Sequence, residues 1–145
     1  MDPTTVLREQ FGGGEKLVAK LLARGIDLVA AGWAKPADRQ SWRLFLVVPG
    51  ELKVRQEASA ATDGALAELE SEWASAFERV EWSEVQVVPP TDRLAKGFVE
   101  FGTHYPRKVA SWKGDGMLGD EYVEGAYIYP SALFAKPAHP PATGN

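Results

Sequence analysis

Cysteine is absent from this 145-residue chain. Without a thiol, disulfide frameworks, cysteine-ligated zinc, iron–sulfur clusters and a cysteine nucleophile are all excluded. Histidine is scarce: His104 and His139 are the two, in no metal-ligand spacing, so no metal site is expected. No apolar run approaches the ~18 residues of a membrane span. The longest, over 44–49, has the length of a strand. The start MDPTTVLREQFGGG lacks the cationic opening and apolar core of a secretion signal. These absences lead to the expectation of a soluble cytoplasmic protein with no membrane contact. A repeat of fixed period is also missing.

What is present is an ordinary globular composition, 45% hydrophobic and 25% charged, at a length that suits one domain. Sixteen Lys and Arg against twenty Asp and Glu leave a net charge of −4. That charge is uneven: +2 over 1–49, −6 over 50–86, +3 over 87–113 and −3 over 114–145. The acidic block reads as a solvated helix face.

Along the chain, Leu17, Val18, Leu21 and Leu22 form a helical stripe over 15–24, closed by Gly25. Gly12-Gly13-Gly14 reads as a flexible joint after a short first piece, 4–11. Strands are predicted over 26–35 and 42–48, joined by turn chemistry at Pro36, Ala37 and Asp38. The second is apolar at nearly every position and should be covered on both faces. Gly32 and its alanine neighbours suit a strand with something packed closely on it. Residues 51–61 fit either a helix or an edge strand. A helix over 64–80, capped by Thr62 or Asp63, follows from Leu66, Leu69, Trp73, Phe77 and Val80. A core of Leu44, Leu46, Val48, Leu69, Trp73 and Phe77 is expected. Then come a strand over 84–88, a helix over 92–101 with Thr91 as N-cap, and strands over 107–112 and 121–129. The last two should form a hairpin. The sum is a single α+β domain over 1–134. It has about five mainly antiparallel strands (two hairpins plus one strand), helices packed on one face, and a Pro-rich tail over 135–145.

Gly114-x-Gly116-x-x-Gly119 matches a dinucleotide-binding pattern, but a strand follows it where a helix is required. Asp115, Asp120 and Glu121 would repel phosphate. It reads as a hairpin loop, and no cofactor is expected. Gly12-Gly13-Gly14-Glu15-Lys16 lacks the spacing of a phosphate loop.

Two features carry functional content. His104 lies on a connection after the third helix, where it would serve a small hydrolase or ligand-binding enzyme as general base, with Ser111 or Asp92 as partner. Tyr105, Arg107, Lys108, Trp112 and Lys113 form an aromatic and basic stretch, the composition of an interface centre. The competing reading of that stretch is an edge strand whose lysines deter aggregation. The leading expectation is a protein-binding or accessory module rather than the enzyme that His104 would serve, using this stretch to meet an acidic protein or a second copy of the chain. Weak nucleic-acid binding through 105–113 comes third, because the net charge is negative.

Overall fold

The computed structural model describes residues 3–37, 41–104 and 111–134. Its element order is α1 (Pro3–Ala23), β1 (Ala30–Pro36), β2 (Arg43–Val47), α2 (Leu52–Leu69), β3 (Val85–Val88), α3 (Arg93–His104), β4 (Ser111–Lys113), β5 (Gly116–Leu118) and β6 (Glu121–Ile128). Short 3-10 turns occupy Trp82–Glu84 and Ser131–Leu133. The strands form one mixed sheet in the order β3-β2-β1-β6-β4, with β5 also paired to β6. The domain is α+β as expected, with six strands among the described residues where five were expected.

Antiparallel pairing joins β1 to β2 and to β6, and β6 to β4 and β5. The exception is β3, which runs parallel to β2. α2 returns the chain along the sheet between them, so the next strand must repeat the direction of the last. The extra strand arises inside the glycine-rich connection, where Met117 pairs with Tyr122.

Helices cover both faces of the sheet, not one. Leu17 and Leu21 of α1 and Ala65, Leu66 and Leu69 of α2 pack with Trp33, Leu44, Leu46 and Val48 on one side. Leu94, Ala95 and Phe98 of α3 pack with Phe45, Val47, Ala126 and Ile128 on the other. The alternation within β2 demanded this: both of its faces are apolar, and each needs a cover. Gly32 allows the α3 side to close, since a Cβ there would stand 2.5 Å from Phe98.

Two helices differ from the sequence reading. α1 runs unbroken through Gly12, Gly13 and Gly14. A Cβ at Gly13 would lie against the Glu78 carbonyl, and one at Gly14 against Tyr129 Oη and Trp33 Nε1. The glycines are there for close approach rather than for bending. α2 begins at Leu52 and ends at Leu69, so the 64–80 stripe is helical only in its first part. Thr62 is not a cap but a buried mid-helix residue whose hydroxyl donates to Ala58 O at 2.8 Å. Leu44, Leu46, Val48 and Leu69 are buried together, Trp73 packs partly against them, and Phe77 is exposed. At α3 the cap is Asp92 rather than Thr91. Its Oδ2 accepts from the amides of Leu94 and Ala95 at 3.1 Å each.

The glycine-rich pattern over 114–119 leads into β6, not into a helix. Gly119, at φ 60°, and Gly97 let the turn before β6 touch α3 backbone to backbone, and Asp120 N donates to Arg93 O at 3.2 Å.

Candidate functional site: an aromatic cleft

The first half of α1, the residue before β2, and β6 with its outer neighbour β4 bring together four rings from distant parts of the chain. Trp112 and Tyr127 are directly opposed across β4 and β6. Leu7 and Phe11, four residues apart on α1, point to the same side of that helix. Phe11 stacks on Tyr127 with ring centroids 4.3 Å apart and planes inclined by 18°. Trp42, just before β2, meets Phe11 edge-on at 5.5 Å and Trp112 at 5.7 Å. Its ring has room because Gly125 carries no side chain: a Cβ there would lie 2.9 Å from it.

Beneath this layer the cluster is pinned by buried hydrogen bonds. Trp33 Nε1 donates to Tyr129 Oη at 2.8 Å, and Tyr129 Oη donates to Phe11 O at 2.5 Å. Burial pushes the Tyr129 hydroxyl well above the ordinary tyrosine value. Burial, and then the charge of Glu15, raise Tyr127 as well. Both hydroxyls therefore stay protonated at neutral pH. A bulge between Lys35 and Pro36 shifts the register of β1 on β6. It turns Val123 to the α3 side, although strict alternation would place it with Tyr127 and Tyr129.

Above the rings lies an open cleft of about 490 Å³, lined by Leu7, Arg8, Phe11, Trp112 and Tyr127. Trp112 remains 58% exposed beside it. Apolar walls with one charged residue match the usual chemistry of a binding cavity. Arg8 stands apart from the other α1 cations. Lys16 and Lys20 pair with Glu78 and Glu72, which follow α2, and Arg24, just after α1, pairs with Glu68 at the end of α2. Arg8 has no such carboxylate among the described residues.

The expected aromatic and basic surface is divided. Trp112 borders the cleft on the α1 side. Lys113, its neighbour in β4, belongs to the opposite face, in a shallow depression of about 190 Å³ with Phe101 and Met117. Tyr105, Arg107 and Lys108 lie outside the described residues, as does His139. His104 closes α3, and its side chain is also outside the description. Asp92 caps the far end of the same helix, ~18 Å along its axis at 1.5 Å per residue. Phe11, Trp42, Leu7 and Arg8 did not emerge from the sequence. The available signal was the Leu7–Phe11 spacing, which the glycine triplet obscured.

A smaller polar notch on the α3 side, about 160 Å³, is lined by Arg43, Gln86, Asp92 and Glu121 among others. Arg43 Nη1 donates to Ser83 O at 3.0 Å. Among the described residues no group of three His, Asp or Glu could hold a metal ion. None of the described helices is long and apolar enough to cross a membrane.

Comparison with protein-family models, with curated proteins and with solved structures gives no match. The functional reading therefore rests on the cleft.

Proposed function

We propose that the protein is a protein-binding module that contacts its partner through the cleft between α1 and β4. The observation that carries this reading is the half-exposed Trp112 beside a cleft of about 490 Å³ whose other walls are Leu7, Phe11 and Tyr127. Tryptophan and tyrosine offer large apolar area together with a polar edge, and rings held by neighbouring rings lose little freedom on binding. An apolar surface of this kind that remains open supports recognition more than stability.

The test is selection of peptides from a random display library on the full chain, with Trp112→Ala as the control. Enriched peptides should bind the wild type and lose most of their affinity for the variant. Peptides that bind both proteins equally, or no enrichment at all, would refute the reading. Because Trp112 is half-exposed, the variant should fold, which a thermal melt verifies.

A further inference from the structure

Resting on the reading above, we infer that the cleft recognises an acidic peptide segment, seating one bulky apolar side chain against Trp112, Phe11 and Tyr127 while a neighbouring carboxylate of the segment pairs with Arg8.

Charge complementarity is the ground for this choice. Among the described residues lining the cleft, Arg8 is the one that carries a charge. It follows Leu7 on α1, and Phe11 lies one turn on, so cation and apolar wall border the same opening. The two other cations described on α1, and Arg24 just after it, each meet a carboxylate of this chain: Lys16 with Glu78, Lys20 with Glu72, Arg24 with Glu68. Arg8 is left without one among the described residues, at the place where the apolar surface is also uncovered. Three other carboxylates of the chain have partners of their own. Glu70 pairs with Arg79, Glu124 with Lys35, and the Glu9 carboxylate accepts from Ser75 Oγ at 3.0 Å. Glu15 acts on the Tyr127 hydroxyl but does not line the cleft.

A guanidinium in that position presents several donors in a planar fork that fits a carboxylate. The ring-lined cavity has the size to take one aromatic or branched side chain as an anchor. The two elements are adjacent, so one short segment can satisfy both. A basic segment would place like charges together and lose the ion pair.

The experiment titrates three capped seven-residue peptides into the full chain. One has a central phenylalanine flanked by glutamates, one a central phenylalanine flanked by lysines, and one a central alanine flanked by glutamates. Free 3-phenylpropionate is a fourth arm. Affinity is read by calorimetry. Occupancy of the cleft is read from the Trp112 indole N–H resonance, assigned with Trp112→Phe. The glutamate–phenylalanine peptide should bind and shift that resonance. The lysine version should be weaker by about fivefold, the scale of one exposed ion pair. The alanine version should be weaker by at least about tenfold, as for loss of an interface anchor. Arg8→Glu should reverse the order of the two charged peptides, and added salt should narrow their difference.

If both phenylalanine peptides bind alike and both shift Trp112, the carboxylate preference is wrong while the cleft remains a peptide site. If 3-phenylpropionate binds as tightly as the best peptide, the ligand is a small organic acid and the inference fails. If the Trp112 resonance broadens with protein concentration alone, the occupant is a second copy. No shift with any peptide overturns the inference, and the display selection then decides whether the cleft binds protein at all.

Discussion

The indole of Trp33 and the hydroxyl of Tyr129, 96 residues apart in sequence, share a buried hydrogen bond of 2.8 Å. The same hydroxyl donates to Phe11 O, so one oxygen ties β1, the end of β6 and α1 together directly beneath the aromatic cleft. Tyr129→Phe leaves the Trp33 N–H without its acceptor in a dry interior. The expected loss is about 1–3 kcal/mol. Urea unfolding should show it, and the Trp112 environment should loosen with it.

Neighbouring glycines in α1 should respond in opposite directions to the same substitution. Nothing lies within 4 Å of a Cβ at Gly12, whereas a Cβ at Gly14 would stand 2.2 Å from Tyr129 Oη. Gly12→Ala should stabilise by about 0.5–1 kcal/mol through helix propensity. Gly14→Ala should destabilise by about 1–3 kcal/mol through overpacking, which outweighs that gain. Paired thermal melts check both. A flexible joint at the triplet would instead make the two variants alike.

Trp73 and Phe77 were expected to be equal members of one helical stripe, and the fold separates them. Trp73 packs partly against the core, and its Nε1 is buried without a partner among the described residues. Phe77 is 42% exposed. Trp73→Ala should cost about 2 kcal/mol, below the range for a fully buried tryptophan, and Phe77→Ala less than about 1 kcal/mol. Trp73→Phe should be near neutral, because it removes the unpaired donor along with some contact area. Chemical denaturation of the three variants provides the comparison.

Two glutamates should give opposite pH signatures. Burial raises the carboxyl of Glu84 above its ordinary value, although the Glu81 amide and Gln10 oppose the shift. The folded state then holds its proton longer than the unfolded state, so stability falls as pH rises from the ordinary carboxylate value through the raised one. Glu84→Gln should escape that loss, and its advantage should vanish in acid. Glu78 is lowered, first by its hydrogen bond from Lys16 and then by that from the Ala74 amide. Its contribution is present above the ordinary carboxylate value and is lost as pH falls through the lowered one. Glu78→Gln should therefore be less stable at neutral pH and match the wild type in acid. Melting temperatures across pH 3–8 distinguish the two cases, with pH 3–8 spanning the carboxylate range about the ordinary value.

Much of the sheet was legible because strand signals are local. β2 announced two covered faces by being apolar throughout, and Gly32 announced a close neighbour. The end of α2 was not legible. The spacing of Leu66, Leu69, Trp73, Phe77 and Val80 fits a helix, yet the chain turns after Leu69. Glu78 closes the turn locally on the Ala74 amide, but what anchors it is tertiary: Lys16 donates to Glu78, and Ser75 donates to Glu9. Those partners sit on α1, more than fifty residues away. The cleft was legible by one wall. Trp112 stood out as an aromatic beside basic residues, but Phe11 and Trp42 join it only through packing across the sheet. Strand alternation already placed Lys113 on the other side.

β1 lies at the centre of the sheet and takes β6 as one of its two neighbours, with Gly32 opposite Ile128. During synthesis, β1, β2 and α2 emerge long before that neighbour exists. Until β6 arrives, the middle strand has an open edge and its Trp33 indole lacks the Tyr129 acceptor. Closing so long a loop before its contacts form slows folding, as it does in other domains dominated by non-local pairing. The nascent chain therefore carries an unpaired strand edge until β6 emerges. Weakening β6 should lower the yield of native protein in rapid expression more than it lowers the stability of the molecules that do fold.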